Sequence, residues 1–294
     1  MSSGSRALRI LAPAALLAAA PPAGAGNFDG FAYRVEHGAA AVAAETAALE
    51  RADPKHGPGE ETAARLARLT IAGEARSRTE YERGLVRVLA ERARIARDVR
   101  TILAGGPYRT EWLNSRWLNG VPAARDQDAR ALLRRVFADQ LRAETRLEGA
   151  QARALSYLLR VDDARLMRDN SAWLRGVLAR IGWFDISRYG AEASQGAWLI
   201  VQHADHDPAW QRAMLPILAE RAARGDMQRN YYAYLVDRVA VNAGEPQTYG
   251  TQGKCAGGGK WQPFALVDPE RLDERRAAVG LEPGAAYGAR FNCR

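Results

Sequence analysis

Most of the chain beyond residue 35 shows the apolar spacing of α-helices. From Leu85 onward, apolar residues recur three, four and seven positions apart, with arginine and glutamate between them. The pattern predicts a helix that ends at Gly105-Gly106-Pro107, where glycine and proline interrupt helical geometry. The segment that follows, with Trp112 and Trp117, is typical of a loop or a short helix.

Two further long helices are predicted in the middle of the chain. The first runs from about Asp128 to Ser156, and its early apolar stripe includes Leu132 and Val136. The second runs from about Asp162 to Ile181. Gly182 follows it at the position where a left-handed C-cap residue is expected.

A further helix is predicted after an aromatic connector at residues 183–189. Residues 191–202 carry apolar side chains on all sides, which predicts a central, buried helix. Because Pro208 pushes Asp207 out of helical geometry, this helix must end by about His206. Asp207 is then well placed to cap the next helix, whose first turn holds Pro208.

Shorter elements are predicted in the rest of the chain. The helix that Asp207 caps stops near Gly225, and another helix covers about Gln228 to Val241. The polar, Gly-rich residues 244–262 predict a loop with a short extended piece. A last helix begins at Asp268-Pro269 and ends at Gly280. The whole pattern predicts a mainly α fold, a helical bundle with a long Gly-rich loop near the C-terminus.

The composition and the charge of the chain agree with a helical fold and describe mainly its surface. Apolar residues make up 47 % of the chain, which is enough for a core. The formal net charge is +8, and arginine supplies nearly all of the positive charge because only three residues are lysines. The arginines alternate with acidic residues along the helices, which is typical of a solvated helix surface. The chain lacks the basic face with aromatic residues of a nucleic-acid-binding protein, so we expect no nucleic-acid partner.

The first 25 residues have the composition of a secretory signal peptide. Arg6 and Arg9 start it, Ile10 to Ala20 form an apolar stretch, and Ala23-Gly24-Ala25 offers an A-x-A cleavage pattern. The stretch is too short to span a membrane, which needs about 20 apolar residues, so the mature protein should have no stable membrane span. A disordered Ala/Pro-rich tail is the alternative. The predicted organisation is a signal peptide at 1–25, an N-terminal helical region at 26–127 and a helical domain at 128–294.

The chain has two cysteines, Cys255 and Cys293, and neither belongs to a C-x-x-C arrangement. In an oxidising compartment they should form a disulfide. A pair of free thiols in a cytoplasmic protein is the alternative. The disulfide and the signal peptide support each other, and we therefore expect a periplasmic or secreted protein.

Polar residues gather where the predicted buried helix ends, at His203-Ala204-Asp205-His206-Asp207. Capping explains Asp207 completely, whereas His203, Asp205 and His206 have no such explanation. The first interpretation is general acid–base catalysis by His203, with Asp205 or Asp237 as the orienting carboxylate. The second is ligand binding without chemistry. The third is a satisfied polar junction between two helices.

Other polar residues could converge on the same junction. The candidate ligand-binding residues are Gln202, Gln211, Tyr234, Arg238, Gln247, Tyr249 and Gln252. Ordinary packing of the tyrosines and a structural ion pair between Asp237 and Arg238 are the alternatives. A metal ion would use His203 and His206, but this spacing is common by chance and no metal-binding signature accompanies it. We therefore expect no cofactor, with a metal at the two histidines as the alternative.

Several runs of the chain form a combined pattern. They are residues 197–205, 207–208, 211, 234–239, 244–252 and 268–281, with Asp139-Gln140 and Asp169-Asn170 upstream. This pattern resembles an uncharacterised bacterial family, domain of unknown function 6624, over about residues 131–290. The resemblance implies that a shared polar set includes Gln202, His203, Asp205, Gln211, Asp237, Arg238, Gln247, Tyr249 and Gln252, but it implies no reaction. The chain departs from the usual form of the family in residues 255–260 and in the added region 35–127.

The functional hypothesis is an exported protein with a His/Asp/Arg/Gln pocket, and specifically a hydrolase that uses His203 as general acid–base. Arg238 with Gln247 or Gln252 would hold an anionic or carbonyl group of the substrate. The chain has neither a nucleophile elbow nor a phosphate-binding glycine loop that leads into a helix. The alternative is a non-catalytic module that binds a small molecule or a component of the cell envelope.

Overall fold

The computed structural model describes residues 28–52, 59–106, 126–141, 145–256 and 259–293. The predicted signal peptide and the predicted loop around Trp112 and Trp117 lie outside these residues. Within them, no helix is both long and apolar enough to cross a membrane.

Eleven α-helices contain most of the described residues and confirm the predicted mainly α fold. The first five are α1 (Gly30–Ala52), α2 (Glu60–Glu74), α3 (Arg78–Leu103), α4 (Gln127–Gln140) and α5 (Gly149–Ile181). The others are α6 (Ile186–Tyr189), α7 (Ala191–Gln202), α8 (Pro208–Arg224), α9 (Arg229–Asn242), α10 (Leu272–Ala278) and α11 (Gly284–Ala289). Between α9 and α10 lie the strands β1 (Gly253–Ala256) and β2 (Lys260–Pro263) and a 3-10 turn at Pro269–Arg271.

The chain forms two compact units, and the first contains the described residues 28–52, 59–96 and 145–161. In this unit α2 packs against α1. Apolar side chains of α2 are buried on more than one face, among them Leu66, Leu69 and Ile71. Because a helix that is apolar on several faces must be surrounded by other elements, α2 is the central helix of this unit.

The second unit contains the described residues 97–106, 126–141, 162–256 and 259–293. Its central helix is α7, as predicted, since residues on several of its faces are buried, including Trp198, Ile200 and Val201. The aromatic connector before α7 contributes Trp183 and Phe184 to the same core. The last turn of α7 is therefore packed into this core through Ile200 and Val201.

A glycine contact fixes the position of α7 beside α4. A Cβ atom added at Gly196 would lie 3.0 Å from Val136 Cγ2 and 3.6 Å from Leu132 Cγ, so the absence of a side chain lets the two helices approach closely. The two helices run in the same direction, because Leu132 of α4 lies beside Gly196 of α7 and the residues seven positions further along each helix, Asp139 and His203, also meet.

The helix ends around Asp207 are as predicted. The Asp207 carboxylate accepts a hydrogen bond at 2.9 Å from the backbone N–H of Trp210, and Pro208 occupies the first turn of α8. Gly182 and Gly225 have φ of 79° and 83° at the ends of α5 and α8. Both glycines thus provide the left-handed geometry that terminates a helix.

The break that was predicted between a helix from Asp128 to Ser156 and a helix from Asp162 to Ile181 is at the wrong position. The break lies instead between α4 and α5, just before Gly149, whose φ of 54° is incompatible with a continuous helix. Helix α5 passes through Asp162 without interruption. Buried side chains such as Tyr157 flank this position and favour the helix there.

The Gly-rich segment near the C-terminus contains a small antiparallel hairpin, which is the short extended piece that was predicted. In this hairpin Cys255 of β1 lies opposite Trp261 of β2. Cys255 forms the predicted disulfide with Cys293, and their Cα atoms are 5.3 Å apart. The disulfide fastens the hairpin to the segment that follows α11.

Candidate functional site

His203 forms the centre of the candidate site together with Asp139. His203 is the C-cap residue of α7, and its Nδ1 atom lies 2.8 Å from Oδ2 of Asp139 near the end of α4. The side chain of Asp139 is only 3 % exposed, whereas that of His203 is 22 % exposed. Because an ionised carboxylate can only accept hydrogen bonds, Nδ1 is the donor in this contact, and a neutral ring in this orientation has its lone pair on Nε2.

The second ring nitrogen of His203 is uncommitted. Nε2 forms no hydrogen bond or ion pair with any other residue that the structure describes. The side-chain amide of Gln140 donates a second hydrogen bond to Oδ2 of Asp139, at 2.8 Å. A buried, hydrogen-bonded carboxylate thus orients a partly exposed imidazole, and this is the arrangement that general acid–base catalysis requires.

Asp205, one of the two expected orienting carboxylates, lies in a separate cluster. It accepts hydrogen bonds from two guanidinium nitrogens of Arg238, from Gln211 at 3.2 Å and from Asn242 at 3.0 Å. Partial burial alone would raise the pKa of Asp205, but the hydrogen bonds and charge of Arg238 outweigh it and lower the pKa below its usual value. No hydrogen bond joins this carboxylate to His203 within the described part of the chain.

Gln211 connects this cluster to the end of α7. Its Nε2 donates to the carbonyl oxygens of Val201 and Gln202, both at 3.0 Å. The Val201 carbonyl also accepts the N–H of Ala204 at 3.1 Å, so Gln211 adds to the capping of the last turn of α7. The Oε1 atoms of Gln202 and Gln211 are buried and accept no hydrogen bond from any described residue. Buried acceptors of this kind normally bind a water molecule or a ligand donor.

Asp237, the other expected orienting carboxylate, is fully buried and organises the loop after α9. Its Oδ1 accepts from the backbone N–H groups of Thr248 and Tyr249, and its Oδ2 accepts from the backbone N–H and the hydroxyl of Thr251, all at 2.8 Å. Four donors occupy the four acceptor sites of a carboxylate. The structure therefore places Asp237 against this loop and not against His203.

Three other candidate ligand-binding residues have structural roles: Gln247 and Gln252 form hydrogen bonds within one loop, and Tyr234 packs against the core. The Gln247 amide donates to the carbonyl oxygens of Gln252 and Phe264 at 2.8 and 3.1 Å, and its Oε1 accepts from the N–H of Gln252 at 2.9 Å. Tyr234 packs against Trp198, with ring centroids 6.3 Å apart. Gln247 and Gln252 thus stabilise the loop after α9, and Tyr234 contributes to the packing of α9 against α7.

His206 is exposed at the start of the turn that leads to α8. Loss of solvent and the nearby positive charge of Arg168 lower its pKa below the usual value for histidine. Arg175, on the same face of α5 as Arg168, forms an ion pair with Asp207. Among the described residues, no group of three or more His, Cys, Asp or Glu side chains is arranged to hold a metal ion.

Asp139 is the residue of this site that reasoning from the sequence alone missed. A signal was available, because Asp139 follows Leu132 by seven positions and Val136 by three. That spacing places its carboxylate on the buried stripe of α4. A carboxylate on such a stripe needs a polar partner, since an unpaired buried charge is costly.

Comparison with known proteins identifies a family. A family model described as a family of unknown function (DUF6624) matches residues 130–291, which is more than half of the 294-residue chain, and confirms the resemblance. No curated protein and no solved structure matches the chain. The matched segment contains both Asp139 and His203.

Proposed function

We propose that this chain, which belongs to the family of unknown function DUF6624, is an exported hydrolase in which His203 acts as general acid–base. Asp139 orients the imidazole and stabilises its protonated form during turnover. The single observation that supports this proposal is the 2.8 Å contact between Nδ1 of a partly exposed histidine and a buried carboxylate. Nε2 of the same ring has no partner among the described residues, so it is available for proton transfer.

The chemistry follows from the uncommitted Nε2. This nitrogen takes a proton from a water molecule while the water oxygen bonds to the carbonyl carbon of an ester or amide. The imidazolium, next to Asp139, then gives that proton to the leaving alcohol or amine as the bond to the carbonyl carbon breaks. The ring returns to its starting form, and the products are a carboxylic acid and an alcohol or amine.

Two features support export. The first 25 residues have a basic start, an apolar stretch and an A-x-A pattern, and disulfides such as Cys255–Cys293 persist mainly in oxidising compartments. Expression of the full chain in bacteria, followed by fractionation and N-terminal sequencing, tests this part. We expect a processed protein that begins at Gly26, and an unprocessed cytoplasmic protein would contradict export.

Single substitutions test the catalytic assignment. Against a panel of chromogenic esters and amides, we expect the mature protein to turn over at least one substrate. His203→Gln and Asp139→Asn should each lower kcat/KM about 100-fold or more, the usual contribution of a general acid–base. His206→Gln is the matched control, since it changes a histidine three residues away that has no carboxylate partner of this kind, and it should retain near-normal turnover.

Thermal melts of each variant must first show that the fold is intact. Unchanged turnover in a folded His203→Gln variant would refute the catalytic role. If the panel yields no turnover at all while small molecules still bind, the non-catalytic binding module becomes the better description.

A further inference from the structure

A groove of about 620 Å³ lies in the C-terminal part of the second unit. The hairpin contributes Lys260 and Trp261 to its lining, the segment around the 3-10 turn contributes Glu270, and small residues of α11 complete it. Neither Asp139 nor His203 belongs to this lining. The volume lies in the range of small-molecule binding sites.

The floor of the groove contains Gly250, in a loop that is held from two sides. Asp237 binds the N–H groups of this loop, while Arg275 and Arg276 donate to the carbonyl oxygens of the two residues before Gly250, at 2.9 and 2.6 Å. Gly250 has φ of 64°, and a Cβ atom there would lie 3.3 Å from Leu272. A floor fixed by so many polar contacts is pre-organised, as ligand sites require.

An aromatic cluster forms one wall. The rings of Trp261 and Phe291 stack with centroids 4.9 Å apart, and Tyr287 meets both rings edge-on at 5.5 and 5.2 Å. The Cys255–Cys293 disulfide links the hairpin, which contains Trp261, to the C-terminal segment, which contains Phe291. Phe291 nevertheless remains 40 % exposed, which leaves ring surface for an apolar group of a ligand.

Two charged side chains of the lining have no partner in the described chain. Lys260, on the hairpin, and Glu270, on the 3-10 turn, form neither an ion pair nor a side-chain hydrogen bond with another described residue. Asp273 also lines the groove, but its Oδ1 accepts a hydrogen bond at 2.7 Å from the N–H of Gly284. The groove thus offers one uncommitted ammonium group on the hairpin and one uncommitted carboxylate on the 3-10 turn.

We propose that this groove binds a short peptide with free termini. The peptide carboxylate pairs with Lys260, its ammonium group pairs with Glu270, and an apolar side chain lies against Phe291. A ligand with both charges satisfies both side chains, whereas a ligand with a single charge leaves one of them unpaired. Gly284 and Gly288 of α11 let Leu272 and Trp261 pack closely against this helix, since a Cβ atom at either glycine would lie within 3.3 Å of one of these side chains. The assignment is independent of the hydrolase proposal.

Calorimetric titration of the mature, oxidised protein with the tripeptide Ala-Phe-Ala tests the assignment. We expect binding of the free peptide and at least about fivefold weaker binding of the same peptide acetylated and amidated at its ends, the effect of losing one or two polar contacts. Lys260→Gln and Glu270→Gln should each weaken binding of the free peptide by a similar factor. Arg229→Gln, which removes an exposed charge of α9 outside the lining, is the matched control and should bind normally.

Because Lys260 and Glu270 are exposed and unpaired, their substitution should leave the thermal melt unchanged. The proposal is overturned if the free tripeptide does not bind. It is also overturned if folded Lys260→Gln and Glu270→Gln variants bind as tightly as the original protein, or if blocked and free peptides bind equally well.

Discussion

At the scale of single residues, His206 offers a direct test of the electrostatics around the candidate site. Loss of solvent and the charge of Arg168 lower its pKa, although the carboxylate of Asp207 acts in the opposite direction. We expect Arg168→Gln to raise the pKa of His206, because the substitution removes a positive charge that disfavours the imidazolium. An NMR titration of the ring protons measures this change, and Arg229→Gln should leave the titration unaltered.

The lowered pKa of His206 makes the free energy of unfolding depend on pH. Since its pKa is lower in the folded chain than in the unfolded chain, His206 stabilises the fold at pH values above the unfolded pKa. This contribution is lost as the pH falls through the lowered folded pKa, when the ring must become charged near Arg168 in the folded chain. A pKa of His206 that stays constant or falls in Arg168→Gln would contradict this electrostatic account.

Asp237 is fully buried and accepts four hydrogen bonds, so its substitution should destabilise the fold. Asp237→Asn keeps the size of the side chain but replaces one acceptor oxygen with an NH₂ group that faces backbone N–H donors of Thr248, Tyr249 or Thr251. We expect a loss of about 3 kcal/mol in the free energy of unfolding, since charged hydrogen bonds disappear and buried donors lose their acceptor.

Urea unfolding measures this loss, and hydrogen exchange should show reduced protection of the three loop amides. Asp273→Asn is a suitable control, because Asp273 is exposed and accepts one backbone hydrogen bond, whereas Asp237 accepts three backbone hydrogen bonds and one from a hydroxyl. Equal stability of Asp237→Asn and the original protein would mean that the loop does not depend on the carboxylate.

At the scale of elements, the pairing of α4 with α7 determines whether the dyad can form. Gly196→Val would introduce a branched side chain where even a Cβ atom comes within 3.0 Å of Val136. We expect a destabilisation of about 2 kcal/mol from overpacking, together with a weaker Asp139–His203 contact as the helix ends separate. Thermal unfolding measures the first effect, and the NMR signals of the His203 ring report the second.

Gly176→Val is the matched control for this substitution. Gly176 lies inside α5, and a Cβ atom added there would meet nothing within 4 Å. The control should therefore be neutral or slightly stabilising, because valine has a somewhat higher helix propensity than glycine. If both valine variants unfold alike, the close approach of α4 and α7 is not what limits position 196.

The elements that the sequence predicted correctly are those with local signals. Helix α7 and the cap at Asp207 follow from a run of apolar residues and from the geometry of Pro208. The break between Gln140 and Gly149 was missed because the apolar spacing continues beyond Gln140, where Leu141 leaves helical geometry, and the next helix begins only at Gly149. Local periodicity cannot distinguish a continuous helix from two helices whose stripes happen to align.

The site was less predictable because its partners are distant in the chain. His203 was identified from its sequence neighbourhood, but its carboxylate partner lies 64 residues earlier, and the register of α4 and α7 brings the two together. The nearer candidates, Asp205 and Asp237, are instead engaged by Arg238 and by the loop after α9. Which carboxylate meets an imidazole depends on helix packing, and composition or spacing alone does not determine it.

At the scale of the whole molecule, the disulfide should stabilise the second unit, to which both of its cysteines belong. The Cys255–Cys293 bond closes a loop across a sequence separation of 38 residues. In the chain-entropy model, a loop of this length contributes about 4 kcal/mol by restricting the unfolded chain. We therefore expect the double variant with serine at both positions to unfold at a clearly lower urea concentration than the oxidised protein.

Tryptophan fluorescence is the appropriate probe, because the described residues of the first unit contain no tryptophan. Reduction of the original protein should reproduce the effect of the double variant, and the reducing agent should have no effect on the variant itself. Without the bond, the segment that contains Phe291 is no longer linked to the hairpin that contains Trp261. Binding of Ala-Phe-Ala should therefore weaken even under conditions in which the second unit remains folded. Oxidised and serine proteins that unfold at the same urea concentration would show that the native contacts alone already hold the hairpin in place.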